Sequence, residues 1–196
     1  MTLAKKPIKI TEVVLRDAHQ SLLSTRLRTR DMLKGADGTA DILADCFSLE
    51  MWGGATFDTA YRFLHESPWE RLEMLREKIP NIPFQMLLRG SNLVGYASYP
   101  DNLVNAFIEE SAKAGIDIFR VFDSLNWIPS METAMEAVLG ALMLEKDSII
   151  AVQEYVTPDA FYTEEHRTIY KAIEELSMEL KPICLLYTSP SPRDTE

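Results

Sequence analysis

Cysteine is nearly missing from this sequence: Cys46 and Cys184 are the only two in 196 residues. Two isolated thiols make neither a metal-finger spacing nor a disulfide framework, so a reducing compartment is the default expectation. Positive charge is scarce too, with 20 Lys and Arg against 30 Asp and Glu and a formal net charge of -10. That deficit argues against nonspecific binding to nucleic acid or to anionic membranes. No run approaches the roughly 20 apolar residues of a membrane span. The opening MTLAKKPIKITEVVL lacks the apolar stretch of a signal peptide. The expectation is a soluble, cytoplasmic protein. Glycine-rich phosphate loops are also lacking, with no GxGxxG and no GxxxxGK[ST]. What is present is a globular composition, 46% hydrophobic and 26% charged, enough to bury one good core.

From about Ile8 to Trp127 the chain alternates between short apolar runs and amphipathic stretches. KITEVVL, FSLEMW, PFQMLLRG and IDIFRVFDSLN read as strands. Helical spacing follows each: about Thr29 to Asp45, then SPWERLEMLREKI, DNLVNAFIEESAKAG and SMETAMEAVL. In the second helix, Ser67 is the expected N-cap, Pro68 the first helical residue and Glu70 the third residue of a capping box. Trp69, Leu72, Leu75 and Ile79 should form its buried face. Asp101 should open the third helix and Gly115 close it. Gly35 and Gly38 should weaken the first by roughly 1 kcal/mol each. Four βα units imply a parallel sheet covered by helices, either part of a TIM barrel or a doubly wound sheet. The polar strand ends RDAHQ, EMWGG, LLRGSN and FDSLN favour the barrel, whose active sites form at the C-terminal strand ends. The expected fold is therefore α/β, a partial TIM barrel followed by a short helical segment.

The chemistry gathers at those strand ends. Asp17 can bind a divalent metal through oxygen, Arg16 can hold an anionic oxygen, and Gln20 can fix a carbonyl. Arg89 can clamp a carboxylate from the third strand end, and Asp123 can orient one of these groups from the fourth. The competing reading is a structural ring of salt bridges. His19 reads more simply as a packed histidine with a satisfied hydrogen bond than as a ligand, and His65 as a loop residue. Trp52 and Phe57 read as packing. Gly53-Gly54 suits either a tight turn or close approach of a ligand. Met32, Met51, Met74 and Met86 read as core filler.

The strings VVLRDAHQSLLSTRLRT, SLEMWGGATFD, RFLHESPWERL, QMLLRGSNLVGY and IDIFRVFDSLN resemble the carboxyltransferase domain of biotin-dependent enzymes, the family of pyruvate carboxylase and the oxaloacetate decarboxylase alpha subunit. The resemblance covers about residues 8 to 139. It implies a TIM barrel that moves CO2 between carboxybiotin and pyruvate or oxaloacetate through a metal-stabilised enolate. It also implies a divalent metal of the Zn, Mn or Co class, and biotin on a carrier domain or subunit as partner. By the same resemblance, Arg16, Gln20 and Arg89 are catalytic and bind substrate, and Asp17 is a metal ligand; Asp123, from its place at the fourth strand end, is expected to join them in binding. The family's carbamylated lysine, His-x-His pair and transfer-step threonine are not in this sequence. The resemblance thus implies the N-terminal half of the domain, inactive by itself.

A second resemblance begins near residue 130. AVLGALMLEKDSIIAVQEYVTPDAFYTEEHRTIYKAIEELSMELKPI resembles the N-terminal helical domain of DnaB-type replicative helicases, which implies a module of the hexamer collar that contacts primase. IIAVQEYV also suits a fifth strand. Thr163 is the expected N-cap of a helix carrying His166, Ile169, Tyr170 and Ile173 on one face. The two resemblances overlap at Ala137-Val138-Leu139, as in a chimera joined at a short shared sequence. Cys184 to Asp194, CLLYTSPSPRD, resembles a translated sequencing adapter and is left out of fold reasoning. The expected divisions are 1–127, 128–183 and a disordered tail, 184–196.

Overall fold

The computed structural model describes residues 8–144, 158 and 164–178. Its strands are β1 (Thr11–Glu12), β2 (Ser48–Trp52), β3 (Phe84–Leu88) and β4 (Ile118–Val121). They form one parallel sheet in the order β1-β2-β3-β4. Each crossover adds the next strand to the same advancing edge. That is the singly wound order of a (β/α)₈ barrel, whereas a doubly wound sheet reverses direction at a switch point. The described residues thus hold four βα units of a TIM barrel.

The helices are α1 (His19–Leu23), α2 (Thr29–Ile42), α3 (Gly54–Thr59), α4 (Pro68–Lys78), α5 (Asp101–Lys113), α6 (Ile128–Leu144) and α7 (Glu164–Met178). Strand alternation sorts side chains by face. Leu49, Met51, Phe84, Met86 and Leu88 point to the helices and are at most 3% exposed. There they meet Met32 and Ala36 of α2, Leu72 and Leu75 of α4, Ile79, and Val104 and Ile108 of α5, all buried. Each fully buried aliphatic side chain of this kind contributes about 1.5–3 kcal/mol. The opposite face carries Thr11, Ser48, Glu50, Gln85 and Arg120, brought level by the pairs Thr11↔Ser48, Glu50↔Gln85 and Gln85↔Ile118. The register slips between Glu50 and Trp52, so Trp52 pairs with Met86 and turns to the helix side.

Several expectations need correction. KITEVVL supplies only a two-residue strand. The Glu12 Oε1 accepts the Val13 and Val14 N–H groups at 2.8 Å each and turns the chain out of the sheet. Val14–Ala18 then winds into a wide helical turn, with the Ala18 N–H reaching the Val13 carbonyl at 3.2 Å. Gly54–Leu64, assigned to no element from the sequence, is helical through α3 and a wide turn beyond it. Asp101 does open α5, as its first residue after Pro100. Met74 is 37% exposed, unlike Met32, Met51 and Met86.

Other local signals hold. The Ser67 Oγ accepts the Glu70 N–H at 3.3 Å, although no return bond from the Glu70 carboxylate completes the box. Ser67→Ala should therefore lower stability by about 1 kcal/mol, read as a lower urea midpoint at unchanged slope; an unaltered midpoint counts against the cap. Gly115, at φ +111°, ends α5. Its N–H bonds the Ala112 carbonyl and the Ile116 N–H the Ser111 carbonyl, both at 3.0 Å.

Contacts divide the chain into Met1–Met135 and Glu136–Glu196, where the sequence suggested a division at 127. The start of α6 belongs to the first unit for a local reason. Thr133 Oγ1 donates to Asp101 Oδ1 at 3.1 Å, and the Ser130 backbone lies where a Cβ on Gly90 would fall. In the second unit, α7 buries His166, Tyr170 and Ile173, while Ile169 is 41% exposed and lies off that face. The His166 Nε2 stands 3.9 Å from the Glu136 Oε1. IIAVQEYV, Thr163 and the tail 184–196 lie outside the described residues.

Candidate active site

The wide turn after β1 places Arg16 in the sheet's polar interior, 8% exposed. The Arg16 Nε and Nη2 both bond the Glu50 Oε1, and the Arg16 Nη1 donates to the Asp17 Oδ1 at 2.9 Å. The Arg16 stem lies over Gly53, where an added Cβ would stand 3.0 Å from its Cδ. The next residue, Gly54, lies beneath the Arg89 guanidinium, which would overlap an added Cβ outright. Neither glycine has a positive φ. The pair is therefore not a tight turn; it is the floor that two arginines share at the C-terminal end of β2.

Arg89 donates from Nη1 to the Gly95 carbonyl at 2.9 Å and stands 5.3 Å from the centre of the Tyr96 ring. Gln20 follows Arg16 by four residues across the helical turn and into α1, which puts both on one side of that segment. Its half-buried carboxamide makes no hydrogen bond among the described residues. Asp17 stays beside Arg16, its side chain 51% exposed. Asp123 lies just past the C-terminal end of β4 and binds its own loop. Its Oδ2 accepts the Leu125 N–H at 2.8 Å and the Trp127 N–H at 3.0 Å, tying down the loop after β4. Those bonds, the Trp127 one first, hold its carboxyl below the usual carboxylate range. Arg16, Asp17 and Gln20 thus follow β1, Arg89 follows β3 and Asp123 follows β4, all at the C-terminal side of the parallel sheet, with Arg16 and Arg89 side by side over Gly53 and Gly54.

Sequence reasoning missed the buried half of this corner. Glu50 is fully buried, and its Oε2 accepts from Gln85 Nε2 at 2.8 Å and from Arg120 Nη2 at 2.6 Å. Ser48 and Thr11 continue the chain of bonds, at 3.3 Å to Gln85 Oε1 and 2.9 Å to each other. The available signal was a charged residue inside SLEMW, a strand buried along its whole length. His19 is packed and 3% exposed, but neither buried ring nitrogen has the hydrogen-bond partner expected of it. Burial first, then the Arg71 charge, push its pKa down to about 4 against a smaller upward pull from the Leu15 backbone. His65 is a loop residue with φ 55°.

The described residues do not by themselves make a divalent-metal site. Among the described residues no three His, Cys, Asp or Glu side chains come together as a ligand set. Asp17, the expected ligand, is half-exposed and paired with Arg16. A cavity of about 220 Å³ lined by Glu12, Val14, Leu15, Thr39, Leu43 and Leu49 lies on the helix side of the sheet, away from the arginines. No helix among the described residues is long and apolar enough to cross a membrane.

Comparison with known proteins matches this geometry. Pyruvate carboxylase of Staphylococcus aureus (strain Mu50 / ATCC 700699) is 55% identical over 174 residues, 88% of this chain and 15% of that protein. The Bacillus subtilis (strain 168) pyruvate carboxylase is 58% identical over 134 residues, 68% of this chain and 12% of that protein. The chain thus spans less than a fifth of the length of these relatives. The carboxyl transferase domain of Rhizobium etli pyruvate carboxylase, solved with oxamate and biotin, superposes with a TM-score of 0.68 at 42% identity, over 76% of this chain and 29% of that one. Residues 128–187 match the model of the DnaB-like helicase N terminal domain. The chain is therefore similar, in sequence and in its four parallel βα units, to pyruvate carboxylases and their carboxyl transferase domain. A match over 174 residues runs beyond the expected limit at residue 139, so it overlaps the stretch 128–187 that is similar to the helicase N-terminal domain.

Proposed function

We propose that residues 8–127 are the first half of a biotin-dependent carboxyltransferase barrel, which moves CO2 between carboxybiotin and pyruvate or oxaloacetate. The observation that carries this reading is the pair of arginines lying over Gly53 and Gly54 at one strand end. Losing CO2 from oxaloacetate leaves an enolate, and the same enolate takes up CO2 in the reverse direction. Two guanidiniums and a free carboxamide suit the carboxylate and the enolate oxygen of such a keto acid. The partners are the keto acid and a biotin carrier. In this reading Arg16, Gln20 and Arg89 touch substrate, and Asp123 supports the loop beside them.

By itself the chain is inactive in this reading. A catalytic divalent metal needs several ligands in fixed geometry, and Asp17 stands alone. The mouth is open at β4, where Arg120 is half-exposed, and charges facing bulk water stabilise an enolate weakly. A coupled pyruvate assay, with metal matched and a full-length pyruvate carboxylase as positive control, should show no oxaloacetate decarboxylation above the free-metal background. Metal-dependent turnover that Asp17→Ala abolishes would overturn this. The helicase-like interaction module is not favoured, because the carboxyltransferase similarity covers the larger share of the chain. DNA read coverage across the codons for residues 128–145 tests the join: a break there marks a chimera, and continuous coverage removes that explanation.

A further inference from the structure

We infer that Glu50 is the positioning residue of the corner, aiming the Arg16 guanidinium at an incoming keto-acid carboxylate. The inference rests on the keto-acid reading of the site and adds to it a residue that never meets the substrate. Glu50 is 0% exposed and divides its two oxygens. Oε1 takes the Nε and Nη2 of Arg16. Oε2 takes Gln85 and Arg120. A guanidinium has five N–H groups in one plane. Glu50 binds two of Arg16's along one edge, and Asp17 binds a third. One N–H on each terminal nitrogen is left over from these bonds, available to an incoming carboxylate. Gly53 lets the Arg16 stem lie flat enough to reach Glu50. The Gln85 and Arg120 bonds hold Glu50 from its other oxygen, so the clamp is fixed from both sides.

A purely structural ion pair is the competing account, and two measurements on the full 196-residue chain separate them. Arginine Nε–H spectra come first. The Arg16 Nε–H should exchange with solvent at least about ten-fold more slowly than that of Arg30, whose side chain is 76% exposed. Equal exchange rates overturn the clamp without any variant. Oxamate titration comes second. Glu50→Gln puts an amide donor where Arg16 or its neighbours also donate, and should weaken oxamate binding about ten-fold or more. Ser67→Ala, destabilised at α4, should bind oxamate as the wild type does, showing that lost stability alone is not the cause. If Glu50→Gln does not fold, Glu50→Asp is read instead, its carboxylate too short to span Arg16 and Gln85 together. A folded Glu50 variant with wild-type oxamate affinity overturns the inference. Wild-type protein with a protected Arg16 but no response to oxamate overturns the keto-acid reading on which it rests.

Discussion

Trp52→Ala should unfold the α/β unit at a much lower urea concentration than wild type, at a cost of about 3–5 kcal/mol. Trp52 is 1% exposed and ends β2 on the helix side. Its ring meets Phe57 of α3 at 4.9 Å and 74°, and Trp69 of α4 at 4.9 Å and 79°. Phe107 of α5 closes the cluster, 5.7 Å from both Phe57 and Trp69. Edge-to-face pairs add about 0.5–1.5 kcal/mol beyond the area they bury. One substitution thus loosens the contact of three helices with one strand end, directly beside Gly53 and Gly54. The Trp52 Nε1 is buried without a hydrogen-bond partner, so Trp52→Phe, which deletes that donor, should cost clearly less than the alanine change. Trp127 is 60% exposed, and Trp127→Ala should stay within about 0.5 kcal/mol of wild type. Urea melts followed by circular dichroism give all three values, and a Trp52→Ala cost below that of Trp127→Ala would sink the assignment.

Acid should destabilise the same unit in two steps. The first belongs to His19. Its pKa falls from 6.5 to about 4 in the fold, so the unfolded chain takes up the proton first. Stability from this group is complete above pH 6.5 and is lost as pH falls toward 4, a change of roughly 3 kcal/mol. The second step belongs to Glu66. Burial pushes its carboxyl up, but the Thr29 hydroxyl at 2.7 Å, the Thr29 N–H at 3.0 Å and the Arg71 guanidinium at 2.9 Å outweigh that and leave it lowered. A lowered carboxyl contributes stability above its unfolded value, here 4.5, and loses it as pH falls further. Melting midpoints from pH 8 to pH 3 should therefore decline through both windows. His19→Leu should flatten the upper window alone, and Glu66→Gln the lower one. A His19→Leu profile as steep as wild type between pH 6.5 and 4 would show that His19 protonates freely in the fold.

The fold was legible because its signals are local. An amphipathic helix repeats every 3.6 residues and a strand every two, and both periods fit within a dozen residues. Leu72, Leu75 and Ile79 therefore announced the buried face of α4, Ser67 its start, and Gly115 the end of α5. The polar strand ends announced a barrel mouth for the same reason. β1 misled because VVL is apolar enough for a strand, while the Glu12 carboxylate captures the next two N–H groups and turns the chain away.

By itself the sequence determined four βα units, their order, and the presence of Arg16, Asp17, Gln20 and Arg89 at strand ends. Tertiary structure alone decided what those side chains meet. Arg16 finds Glu50 across 34 positions, and Glu50 finds Arg120 across 70. Both meetings depend on strand register, and a one-residue slip would send Glu50 to the helix face. No local pattern carries register between strands so far apart. Only the packed sheet could turn Gly53-Gly54 from an ambiguous pair into the floor of two arginines, and set Asp123 to its own loop.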